Sequence, residues 1–171
     1  GTKKQGKVYL FCDEFTNFCD VSVGIDALEF LSFIGFQPLV VAHPESGRSA
    51  ISKGMLSYAQ NIANRNIEIF KDLLSEEVPL LGIEPSAILT FRDEYLRLAS
   101  DKKAASRVAK HCHTLEEFLQ SLTKTGNLSP ALFSKKKKTI KIHGHCHQKA
   151  LSSTHPIFEI LNLPENYNVS I

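Results

Sequence analysis

The sequence predicts an α/β protein with a parallel sheet flanked by helices. Three observations carry that prediction. Short apolar runs alternate with longer segments of helical periodicity, the order expected when each parallel strand is followed by a crossover helix. The 171 residues suffice for one good-sized core, or for two small halves sharing a sheet. Four polar clusters each begin just after a predicted strand.

Residues 1–6 read as a tag remnant or linker and stand outside the fold. The run 7-KVYLFC-12 is short, apolar and β-rich, and is bounded by Gly6 and by Asp13-Glu14, so it reads as a buried strand. In 21-VSVGIDALEFLSFIG-35, apolar residues at 27, 28, 31 and 34 form a helical stripe that stops at Gly35. A second strand is expected over 38-PLVVA-42. After the polar turn 43-HPESGRS-49, Met55, Leu56, Ala59, Ile62, Ala63, Ile67, Phe70 and Leu74 keep helical spacing. The third strand is 78-VPLLGI-83, and helical patterns follow over 86–98, 102–111 and 114–122. Gly126, Pro130 and the lysine run 135-KKKK-138 make a loop. The fourth strand is 139-TIKIH-143, a short helix spans 153–162, and 167-YNVSI-171 begins a fifth strand.

Composition narrows the function. A net charge of +2 gives no footprint for nucleic acid, and the lysine run is its one basic block. Cys12, Cys19, Cys112 and Cys146 include no C-x-x-C pair and make no dense disulfide pattern, which fits a reducing cytoplasm. No secretory segment and no membrane-spanning run is present. No G-x-G-x-x-G, G-K-[ST] or G-x-S-x-G occurs, so dinucleotide, P-loop and serine-hydrolase readings lack support.

The polar clusters are 13-DEFTN-17, 43-HPESGRS-49, 84-EPS-86 and 143-HGHCHQ-148. Parallel strands send their carboxyl ends to one edge, where α/β proteins place their sites. Each cluster also has a plainer role in capping the helix that follows. Cys12, Cys19 and Cys112 read as buried core thiols. Glu84 is a ligand, a base or a helix cap. Glu45, Ser46 and Arg48 sit at a helix start that suits an anion, or that Ser46 or Ser49 simply caps. In 143-HGHCH-147 an extended chain puts His143, His145 and His147 on one face, able to hold zinc or iron. A turn after His143 instead frees the Cys146 thiolate to ligate a metal or attack an electrophile. Histidines bonded to nearby carbonyls are the third alternative.

The segments 11-FCDEFTNF-18, 47-GRSAISKGML-56, 82-GIEPSAILTFRDEYL-96 and 143-HGHCHQKAL-151 together resemble a known family. It is the cysteine-rich Cys-Cys-Gly domain of iron–sulfur oxidoreductases. That domain occurs in the heterodisulfide reductase B subunit and in glycolate and D-lactate dehydrogenases of iron–sulfur type. The version fused behind an FAD-linked oxidase domain is most similar.

The resemblance implies two pseudo-repeated halves, here about 7–125 and about 138–171 of one domain spanning 7–171. Each half would contribute thiolates to an iron–sulfur cluster, or in some members to zinc. This sequence departs from that pattern. Glu14, Glu45, Ser46 and Ala87 stand at the four first-half cysteine positions. Gly47, Arg48 and Glu84 still fit the motif, so Glu14, Glu45, Ser46, Gly47, Arg48 and Glu84 mark a degenerate first site. In the second half Cys146 is retained as the expected metal or cluster ligand, with His143, His145 and His147 around it. Its Cys-Cys-Gly partner would fall beyond Ile171, so the second half is truncated and its cluster incomplete.

The expected function is therefore that of a domain of an FAD-linked iron–sulfur oxidoreductase acting on a 2-hydroxy acid such as D-lactate or glycolate. It would serve electron transfer, be inactive alone, and partner an FAD-binding domain or subunit and a redox protein. A peripheral membrane association of the parent stays open. One rival is a cluster-free docking module for a flavin domain or redox partner. Another is a zinc or thiol site at His143–His147.

Overall fold

The computed structural model describes residues 4–144 and 152–171. They fall into two compact units, Gly1–Thr114 and Leu115–Ile171.

The first unit holds a four-stranded parallel sheet in the order β2-β1-β3-β4. Its strands are β1 (Gly6–Phe11), β2 (Phe36–Leu39), β3 (Leu80–Gly82) and β4 (Cys112–Thr114). The connecting helices are α1 (Glu14–Phe18), α2 (Val21–Phe33), α3 (Arg48–Ser52), α4 (Leu56–Phe70), α5 (Pro85–Arg92), α6 (Glu94–Leu98) and α7 (Lys102–Lys110). β1 lies inside the sheet, pairing with β2 from Gly6↔Phe36 to Tyr9↔Leu39 and with β3 from Tyr9↔Leu80 to Phe11↔Gly82. That position explains its apolar run: Val8, Leu10 and Phe11 are buried.

The α/β class with a parallel sheet flanked by helices holds, but the fourth strand of this sheet differs from expectation. It is Cys112–Thr114, not 139–143. Three residues between two helices are too few to display a period. β2 starts two residues earlier than expected and contains Pro38, a residue confined to sheet edges because it has no N–H for the ladder.

Helix stripes make the core. α4 turns Ala59, Ile62, Ala63, Ile67 and Phe70 inward at helical spacing. Proline at the start of α5 and the Glu84 cap set where that helix begins. Phe11, Phe70, Phe91 and Tyr95 are all buried, with ring centroids 5.1 Å apart for Phe11–Phe91 and 4.6 Å for Phe91–Tyr95. Burying each such ring contributes roughly 1.5–3 kcal/mol.

The second unit contains α8 (Leu115–Lys124), a 3-10 turn at Pro130–Leu132, β5 (Lys138–Lys141), α9 (His155–Leu161) and β6 (Tyr167–Ser170). β5 and β6 form a separate two-stranded parallel sheet. α8 and α9 pack together, and the Gln120 amide donates to Glu159 between them.

Candidate functional site

All strands of the larger sheet run the same way, so the segments after β1, β2 and β3 leave from one edge. Open α/β sheets place their ligands there.

After β1, Asp13 is fully buried and caps α1. Its Oδ1 accepts from the Phe15 and Thr16 amides at 2.9 and 3.0 Å, and its Oδ2 from the Thr16 hydroxyl at 2.7 Å. With Asp13 at the cap and Glu14 the first residue of α1, the two adjacent acids have different targets. Glu14 reaches the turn after β2, where Oε2 accepts from the Ser46 amide at 2.9 Å and Oε1 from the Ser46 hydroxyl at 2.7 Å. This is a two-pronged, charge-assisted clamp between segments 32 residues apart.

Ser46 is fully buried. Its Oγ accepts from the Arg48 amide at 3.1 Å, and its carbonyl accepts from the Tyr95 hydroxyl at 2.8 Å. The Asn66 amide donates to Tyr95 Oη at 2.8 Å and to the Glu45 carbonyl at 2.9 Å. Burial pushes the Tyr95 phenol far above its usual range, so it stays a neutral donor. Gly47 sits at φ +73°, and a Cβ there would lie 3.2 Å from Ile62 Cγ2. The glycine of this turn is thus required by backbone and packing alone.

Glu45 turns outward, and its Oε1 accepts from the Tyr58 hydroxyl at 2.9 Å. Arg48 forms an ion pair with Glu94 and donates to Ser52 Oγ at 3.2 Å. It holds α3 against α6 and is not offered to an anion. Glu84 caps α5 by accepting from the Ala87 amide at 2.7 Å. Ala87 itself is buried in the core.

Between the ends of β1 and β2 lies a pocket of about 160 Å³ lined by Cys12, Glu14, Asn17, Phe18, His43, Pro44 and Glu45. His43 stacks on Phe11, with centroids 4.1 Å apart and planes 18° apart. Its Nε2 accepts from the Cys12 amide at 3.2 Å, which requires the proton on Nδ1, 2.7 Å from the Pro44 carbonyl. Burial lowers the His43 pKa below 6.5, against a smaller upward pull from the Pro44 carbonyl and from Asp13 and Glu14. Cys12 is half-buried and its thiol pKa is raised, first by burial and then by Asp13. With the Nε2 lone pair already engaged, His43 offers no base to Cys12 and no lone pair to a metal.

Among the described residues, no group of three or more His, Cys, Asp or Glu is placed to hold a metal ion. The first-site residues do not fit an iron–sulfur cluster: Glu14 is bound to Ser46, Glu45 to Tyr58, and the Ala87 methyl is packed in the core.

The structure thus brings Glu14, Glu45, Ser46 and Gly47 together and leaves Glu84 on its own helix cap. His43 joins them, although only the cluster containing it was singled out from the sequence. Its signal was the histidine immediately after an apolar run. Tyr95 falls within the 82–96 segment quoted for the resemblance but was not singled out there, and Asn66 gave no sequence signal. Cys112 is buried as expected. Cys12 lines the pocket instead, and Cys19 is exposed, because each follows the end of its element rather than lying on its inner face. His143, after β5, is exposed. His145, Cys146 and His147 lie outside the described residues.

No family model matches the chain, and no solved structure matches it. It is similar to three curated proteins named D-2-hydroxyglutarate dehydrogenase, from Pantoea ananatis, Haemophilus influenzae and Escherichia coli. Identity to each is 24% over 119 residues, which is 70% of this chain and 12% of the relative. The chain therefore spans a small part of the length of the curated relatives it matches. No helix of the described residues is long and apolar enough to cross a membrane.

Proposed function

We propose that this chain is a domain of an FAD-linked 2-hydroxy-acid dehydrogenase whose first ligand site has become a metal-free docking platform for the flavin domain. The carrying observation is the Glu14–Ser46 clamp. It joins the two loops that thiolates and a cluster would otherwise join, so the first half needs no metal to hold its shape. Beside it runs an exposed apolar row: Phe15 at 42%, Phe18 at 79%, and Val21 and Ile25 each at 50%. Val21 and Ile25 are one helical turn apart, and Phe18 also lines the pocket. A row of that kind supports a protein interface.

In this reading the hydride chemistry belongs to FAD on another domain. Electron transfer rests with the 143-HGHCH-147 stretch, where Cys146 is the ligand and the histidines tune its surroundings. The similarity to D-2-hydroxyglutarate dehydrogenases supports a 2-hydroxy acid as the substrate of the parent.

Two experiments test the proposal. Anaerobic reconstitution with iron and sulfide should give no stoichiometric cluster in this 171-residue chain. Full uptake that survives Cys146→Ser would show a working first site and overturn the metal-free reading. Binding of the chain to the flavin domain of its parent, measured by calorimetry, should be lost on combined Phe18→Asp and Ile25→Asp substitution. Unchanged binding would remove the docking surface from the proposal.

A further inference from the structure

β5 and β6 repeat, in the second unit, a pairing already made in the first. β1 and β2 are parallel and joined through a helix, with partners 30 residues apart, as in Gly6↔Phe36. β5 and β6 are parallel and joined through a helix, with partners 29 residues apart, as in Lys138↔Tyr167. The two pairs differ in what lies on the far side of the leading strand. β1 has β3 there: the Tyr9 amide donates to the Pro79 carbonyl at 2.9 Å, and the pairing runs on to Phe11↔Gly82. β5 has no second strand neighbour among the described residues, whose smaller sheet is β5-β6 alone.

The ladder identifies the groups that this leaves open. The Lys138 amide donates to the Asn166 carbonyl at 3.2 Å and the Ile142 amide to the Ser170 carbonyl at 2.8 Å, so both face β6. By alternation along the strand, Thr139 and Lys141 turn their N–H and C=O groups to the other side. Backbone donors and acceptors at strand spacing are matched by another strand. Side chains narrow its chemistry. Ile140 and Ile142 are half-buried on the face that carries buried Val169, so the added strand needs apolar residues beside them. Thr139 and Lys141 are exposed on the opposite face, which suits polar or acidic neighbours. A second copy of β5 is a poor occupant. The lysines at 135–138 and Lys141 would meet their own kind across the join, and like charges directly opposite destabilise a pair.

We propose that the open edge of β5 receives a third parallel strand from the stretch of the parent protein that follows Ile171, in the place that β3 takes beside β1. In the first unit, too, the strand beside β1 comes later in the chain than β2. A further crossover of the same kind delivers its strand parallel. The inference rests on the reading of this chain as a domain of a longer dehydrogenase, and the 119 matched residues are 12% of the length of the relatives.

The test is amide hydrogen exchange, read residue by residue by mass spectrometry. It compares the 171-residue chain, the full-length parent, and the parent cut after Ile171. In the 171-residue chain Lys138 and Ile142 should be protected while Thr139 and Lys141 exchange freely. In the full-length parent Thr139 and Lys141 should slow at least roughly tenfold, and cutting after Ile171 should remove that protection. Thr139→Pro gives a second readout. It removes an outward N–H, which an edge strand tolerates and an interior strand does not. It should leave the melting temperature of the 171-residue chain nearly unchanged and lower that of this domain in the parent by several degrees. Free exchange at Thr139 and Lys141 in the full-length parent would overturn the proposal and leave β5 a lysine-guarded edge. Protection that survives the cut would overturn it as well, by assigning the strand to another part of the parent. So would an equal effect of Thr139→Pro in both proteins. None of these readouts involves the Glu14–Ser46 clamp or the exposed apolar row, so failure here leaves the proposed function standing.

Discussion

At the scale of the residue, the informative positions are those where a thiol is expected and absent. Glu14 and Ser46 are not an empty remnant of a ligand set; they bind each other. Removing the carboxylate leaves a buried serine amide and hydroxyl unpaired, which costs about 1–3 kcal/mol. Glu14→Ala should therefore lower stability by that amount in urea unfolding. His43 supplies a pH signature. Its pKa is lowered in the folded state, so the unfolded chain takes up a proton first as the pH falls below about 6.5. Stability from this group is present above pH 6.5 and declines as the pH falls through the window down to the folded value. The melting temperature should drop across that window, and His43→Gln should flatten the drop. Thiol chemistry should follow exposure. Cys19 should alkylate before Cys12, whose thiol is held protonated by burial and Asp13, and buried Cys112 should not react in the native state; peptide mapping by mass spectrometry reads the order.

At the scale of the element, close packing decides what periodicity does not. A Cβ on Gly82 would lie 2.3 Å from Ile88 Cβ, so α5 crosses β3 at a distance that only glycine permits. Gly82→Ala should cost about 1–3 kcal/mol, read as a fall of several degrees in melting temperature. α2 and α4 were legible because their inner stripes repeat over three or more turns. β4 was not legible, since its three residues are specified by Leu80↔Cys112 to Gly82↔Thr114 pairing and not by their own pattern. The start of β2 was misplaced because Pro38 reads as a boundary in sequence, whereas an edge strand accommodates it.

At the scale of the whole molecule, the exposed lysine run stands out as the place where the chain should open first. Trypsin should cut at Lys135–Lys137 before any site in the first unit, which mass analysis of early digests would show. The sequence by itself determined the α/β class and the main helices. Those follow from local pattern, which each segment carries alone. Only the tertiary structure decided that Glu14 closes on Ser46, that His43 spends its lone pair on the Cys12 amide, and that β5–β6 is a sheet of its own. Each of these depends on which distant segment comes within hydrogen-bonding reach, and chain pattern does not encode that distance.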